Sequence, residues 1–122
     1  MVEIRKGDFS IDEVAARMRS PEVGAIITYS GTVRQFPGGS GLDFEDREEA
    51  IQRLKQIEKR AVDKFDIADV AIIHRVGFLG ITENILLVAV SASHRKAAFD
   101  ACNIIINEIK GLHKSWQGEV RK

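Results

Sequence analysis

One cysteine, two prolines, one tryptophan and no surplus charge of either sign mark this chain of 122 residues. With Cys102 alone, no intramolecular disulfide can form and no Cys-based zinc site can be assembled. Lys plus Arg and Asp plus Glu each total 18, for a formal net charge of zero. That balance argues against a general nucleic-acid binder, which would carry a basic excess, so any anion site must be a local cluster. No apolar run approaches the ~20 residues of a membrane-spanning helix. Met1 leads directly into the alternating Val2-Glu3-Ile4-Arg5, without the charged leader, apolar stretch and cleavage pattern of an export signal. The expectation is a cytoplasmic protein with neither a membrane nor a nucleic-acid partner. Its length suits one compact domain, 1–122, with a real core.

Val2 to Arg5 reads as a short half-buried strand. Ser10 is a good N-cap, and Glu13 stands where a capping box wants it; Val14, Ala15 and Met18 form the buried stripe of a helix that Ser20-Pro21 ends. Residues 24–33, rich in β-branched side chains, read as a strand. Residues 35–41 (QFPGGSG) read as a flexible loop, and Leu42-Asp43-Phe44-Glu45 as a short strand. From about 47 to 65, Ala50, Ile51, Leu54, Ile57, Ala61, Val62 and Phe65 recur at helical spacing, as in an amphipathic helix laid on a sheet. Residues 70–78 and 85–91 are two further strands. Ser93 is expected to cap a helix over about 95–112, and 111–122, lacking periodicity, to be a flexible tail or loop. The order of elements indicates an α+β sandwich of three helices against a mainly antiparallel sheet.

Ser93-His94-Arg95-Lys96 is the most informative cluster. Basic side chains in a first helical turn oppose the helix dipole, yet the free N–H groups there suit an anion such as phosphate. A solvated basic helix end is the plain alternative. Lys110 lies near the other end of the same helix, where the dipole favours a cation; a catalytic role would require a depressed pKa through desolvation or neighbouring cations. His113 and Lys114 are near enough in sequence to contribute. Arg34, at a strand end beside the Gly-rich loop, is a plausible anion clamp, although many such arginines are simply solvated. His74-Arg75 inside an apolar strand reads as structural, and Cys102 on an apolar helix face as core. The three histidines are far apart in sequence and show no metal-ligand spacing. Residues 38–41 are not a phosphate-binding loop, because no GK[ST] follows.

Several segments, taken in order, resemble the large subunit of molybdopterin synthase. They are Gly24-Ala25-Ile26-Ile27-Thr28 leading to Gly31-Thr32-Val33-Arg34; Leu42-Asp43-Phe44-Glu45 followed by Ala50; Ile73-His74-Arg75-Val76-Gly77; Ser91-Ala92-Ser93-His94-Arg95 with Ala98-Phe99; and Ile109-Lys110 with Trp116 and Glu119. The order and spacing match over about 7–120. The resemblance implies an α/β-hammerhead-type fold, a homodimer, and a partner: a small ubiquitin-like sulfur carrier whose C-terminal Gly-Gly ends in a thiocarboxylate. It implies cyclic pyranopterin monophosphate as substrate, two sulfur transfers to give molybdopterin, and no cofactor, because the carrier supplies the sulfur. By position, Lys110 looks like the lysine at the sulfur-transfer centre. Thr32, Val33, Arg34, His94, Arg95, Gln117, Gly118 and Glu119 look like its substrate-binding companions. The family usually has a second lysine directly after the tryptophan; here that position is Gln117, which can donate a hydrogen bond but cannot carry charge.

His94, Arg95 and Arg34 are thus expected to form an oxyanion site. One continuous helix would separate Arg95 from Lys110 by roughly 22 Å at about 1.5 Å per residue, too far for one small pterin phosphate to bridge. Either the two groups serve different sites, or one pocket takes its anion binders from one chain and its lysine from the other across a two-fold dimer; the resemblance implies the second.

Overall fold

The computed structural model describes residues 1–122. The chain runs β1 (Val2–Arg5), α1 (Ile11–Arg17), β2 (Ala25–Thr32), β3 (Gly39–Phe44), α2 (Glu48–Lys64), β4 (Asp69–Arg75), β5 (Gly77–Gly80), β6 (Asn84–Ala92), α3 (Arg95–Trp116) and β7 (Gln117–Arg121). This is the expected α+β architecture with three helices, but its strands divide into two sheets. The first has the order β1-β4-β6-β2, with β1 parallel to β4 and the other pairs antiparallel. The second, β5-β3-β7, is wholly antiparallel.

The central strands β4 and β6 are covered on both faces, which is why residues 70–73 and 85–90 read as apolar runs rather than alternations. Val70, Ile72, Val88, Val90 and Ala92 pack with α2 and α3 in the main core. Ala71, Ile73, Leu87 and Ala89 pack on the opposite face with Val14 and Met18 of α1. Ser10 caps α1 as expected, its Oγ accepting from the Glu13 N–H at 3.2 Å. The buried stripe of α2 is Ala50, Leu54, Ile57 and Ala61; Val62, counted with it above, is instead 48 % exposed.

Four expectations need correction. The apolar stretch 70–78 is not one strand. After Val76 the chain turns at Gly77, whose φ of +88° is open to glycine at little cost, and enters the second sheet opposite Phe44. The 35–41 segment is only partly loop: β3 begins at Gly39, and a side chain at Gly41 would collide with the Leu79 carbonyl of the neighbouring strand. The N-cap of α3 is His94, not Ser93, whose Oγ donates to the Glu22 carbonyl at 3.0 Å. Finally, 111–122 is neither tail nor loop. Ile109, Leu112 and Trp116 extend the apolar stripe at i, i+3 and i+7, so α3 runs on through Gly111 to Trp116. Residues Gln117–Arg121 then pair antiparallel with β3.

Candidate functional site

The end of β2, the 33–38 loop, β3, the start of β6, the second half of α3 and β7 surround an open cleft of about 650 Å³. Apolar Leu42, Ile85 and Leu86 and the aromatic Tyr29 and Phe36 contribute to its walls. Of the residues singled out from sequence, Thr32, Arg34, Lys110, Gln117 and Glu119 line it. Val33 does not: it is 2 % exposed and packs into the core, while its backbone bonds Glu83 and Thr82. Gly118 sits in the ladder opposite Asp43 and is not part of the lining. His94 and Arg95 stand at the far end of α3, and neither lines the cleft. Within one chain, therefore, the expected oxyanion site joining them to Arg34 is not assembled.

Lys110 is not a helix-end cation. The last turn of α3 carries His113 and Lys114, and Lys110 lies six residues before Trp116, on the cleft. Neither Lys110 nor Arg34 has a carboxylate partner. The one acid on the lining, Glu119, is engaged by Arg121 at 2.9 Å. Arg121 also donates to the Pro37 carbonyl at 2.8 Å and stacks over Phe36, and the Lys122 N–H bonds the Gly38 carbonyl. The Gly-rich loop is thereby tied to β7, and two unpaired cations face the same opening.

Below the cleft, His74 and His113, 39 residues apart in sequence, meet Nε2 to Nε2 at 2.9 Å. The His74 Nδ1–H donates to the Arg75 carbonyl at 2.7 Å. Phe44 and Trp116 close the group, with ring centroids 4.8 Å and 4.2 Å from His74, and the Trp116 indole N–H donates to the Glu45 carbonyl at 2.6 Å. His74 is structural, as read, with the backbone partner expected; its contact with His113 carried no sequence signal. Arg75 is structural too, donating to the Lys6 and Asn84 carbonyls. Cys102 is core, and burial pushes its thiol up to about 11, leaving no thiolate for nucleophilic attack near neutrality.

Burial, and then the facing His113, pull His74 from 6.5 down to about 3; burial, and then Lys110, pull His113 down to about 4. In the unfolded chain both titrate near 6.5. Below that pH the unfolded chain takes up protons that the folded one refuses. Stability is thus full above about 6.5 and falls as pH drops toward 4, by up to about 1.4 kcal/mol per pH unit per ring. Thermal unfolding between pH 7 and 4 should show this decline, and a His74→Phe, His113→Leu double variant should flatten it.

A family model described as "MoaE protein" matches residues 4–111. The chain is also similar to the molybdopterin synthase catalytic subunit of Thermoplasma volcanium, 36 % identical over 98 % of this chain and 90 % of that one. That of Pyrococcus abyssi is 39 % identical over 93 % and 79 %. The chain belongs to the MoaE family. The fold agrees with that of solved relatives. A molybdopterin synthase structure from Staphylococcus aureus superposes with a TM-score of 0.87 at 26 % identity, over 98 % of this chain and 90 % of that one. A molybdopterin biosynthesis MoaE protein from Burkholderia ambifaria gives 0.81 at 32 %, over 89 % and 75 %.

The MoaE match takes in Thr32, Val33, Arg34, His94, Arg95 and Lys110 and ends at Gly111, so the His113–Glu119 wall of the cleft lies outside it. Sequence reasoning missed Tyr29 and Phe36 as lining residues: Tyr29 sits within a strand that reads as core, and Phe36 within a Gly-rich segment that reads only as loop. No group of three or more His, Cys, Asp or Glu is placed to hold a metal ion, and no helix is long and apolar enough to cross a membrane.

Proposed function

We propose that this MoaE chain is the catalytic subunit of a cytoplasmic molybdopterin synthase. It takes sulfur from the C-terminal thiocarboxylate of a small ubiquitin-like carrier and, in two transfers, builds the dithiolene of molybdopterin on cyclic pyranopterin monophosphate. Family membership supports the reaction, and the word "catalytic subunit" in the relatives' names supports a second, carrier subunit. The observation that carries the site is the pairing of Arg34 and Lys110, both without carboxylate partners, on one open cleft. An anionic phosphate suits Arg34, with Thr32 and Gln117 as hydrogen-bonding neighbours. Lys110 polarises the thiocarboxylate carbonyl and helps protonate departing groups. A planar pterin suits the aromatic walls. Cells lacking their own catalytic subunit should regain molybdoenzyme activity on expressing this chain; failure to do so with the protein folded and abundant would count against the reading.

His94 and Arg95 enter through a homodimer, in which the pair from one protomer completes the cleft of its partner. Mixing Arg95→Ala and Lys110→Ala chains, each inactive alone, should restore activity, because one of the two pockets in a mixed dimer keeps both residues. No recovery despite demonstrated chain exchange would refute the shared pocket. Gln117 favours a second reading, in which the chain binds carrier or pterin as a catalytically weakened scaffold.

A further inference from the structure

The buried histidine pair ends in the cleft, and its hydrogen bonds determine what it offers there. A carbonyl oxygen only accepts, so the 2.7 Å contact with Arg75 places the His74 proton on Nδ1. His74 is fully buried with no carboxylate beside it, so the ring is neutral and its Nε2 is an acceptor. The 2.9 Å contact then requires His113 to donate from its own Nε2. In a neutral His113 this leaves Nδ1 as a bare lone pair. Burial and the nearby Lys110 cation both favour the neutral ring.

That ring lies three residues after Lys110 on α3, the spacing at which helical side chains meet, and both line the same cleft. Lys110, Lys114 and Gln117 surround its open side. No protein hydrogen bond is made to His113 Nδ1; Nε2 is the only ring nitrogen of His113 that has a protein partner.

We propose that His113 is a positioning residue for Lys110: its Nδ1, kept unprotonated by the bond from Nε2 to His74, accepts one N–H of the lysine in the substrate complex and aims the other two into the cleft. An ammonium on a four-carbon stem has three rotatable donors and little inherent direction. An acceptor fixed on the same helix, and anchored from behind through His74 to the β4 backbone, supplies that direction. The role rests on the sulfur-transfer reading and deepens it, for it makes His113 a determinant of turnover beyond the segment that the family match covers.

Two isosteric variants separate this role from a packing role. His113→Gln places an amide near the Nε2 position, keeping the bond to His74 but losing the acceptor at Nδ1. His113→Asn places its amide near Nδ1, keeping the acceptor but losing the bond to His74. With wild-type sulfur transfer as reference, His113→Gln should keep its melting temperature and KM while kcat falls about 10- to 100-fold, the scale of a misplaced catalytic group. His113→Asn should melt lower yet retain most of kcat. If kcat instead follows melting temperature, with Asn worse than Gln, His113 is only a packing residue and the proposal fails. Nitrogen-15 NMR of the wild-type chain checks the tautomer without any assay. His113 Nδ1 should resonate as an unprotonated imidazole nitrogen near pH 7, and a protonated Nδ1 would overturn the proposal. An inactive wild-type chain whose tautomer is as stated would count against the sulfur-transfer reading instead.

Discussion

Replacing Lys110 with alanine should lower dithiolene formation by about 10²–10⁴-fold, the usual span for loss of a positioned proton donor, and leave the fold intact. The side chain is exposed and has no carboxylate partner, so its loss should change stability by no more than about 0.5 kcal/mol. Lys110→Arg should also be poor, because a guanidinium stays charged and cannot exchange a proton at neutral pH. Single-turnover assays with preloaded carrier, alongside carrier-binding measurements, separate loss of chemistry from loss of docking. Near-normal turnover in Lys110→Ala would show that Lys110 is not the catalytic group, whereas a wild-type chain that binds carrier without turnover would favour the scaffold reading that Gln117 suggests.

The largest effect on stability should come from Phe44→Ala. Phe44 is fully buried where the second sheet meets the main core, with His113 at 5.1 Å and Trp116 at 5.3 Å between ring centroids. Removing it opens a cavity beneath the His74–His113 pair. Phe→Ala at such sites costs about 3–5 kcal/mol, which for a chain of this size lowers the melting temperature by roughly 10–20 °C. Circular dichroism melts test this directly. A drop below about 5 °C would mean that the aromatic group is loosely packed and cannot be what holds the base of the cleft.

How legible each part was in the sequence follows from what holds it. The helix α2 was readable nearly to its ends because a periodic apolar stripe buries it, and β4 and β6 because burial on both faces leaves them almost wholly apolar. Strand β7 left no such trace. Only Val120 in it is even partly buried, and backbone bonds to β3 hold the rest, which side-chain pattern cannot report. The break between β4 and β5 is signalled by Gly77 alone, because apolar Val76 and Phe78 continue the pattern on either side of it. Arg34 and Lys110 were recognisable from their places in ordered segments, and the structure brings them to one cleft. His94 and Arg95 were recognised the same way, but α3 is continuous from Arg95 to Trp116 and holds them about four turns before Lys110. The His74–His113 contact joins a strand to a helix across 39 residues, a distance at which spacing carries no information.

Sulfur transfer at the Arg34–Lys110 cleft can be reconstituted from purified components. The purified chain is incubated with a thiocarboxylated ubiquitin-like carrier and cyclic pyranopterin monophosphate, and dithiolene product is quantified against the carrier consumed. Molybdopterin should form at two carrier thiocarboxylates per pterin, and about 10²–10⁴-fold more slowly when Lys110→Ala replaces the wild-type chain. No product from a folded chain, with a carrier and substrate that a known synthase subunit converts under the same conditions, would contradict sulfur transfer at this cleft.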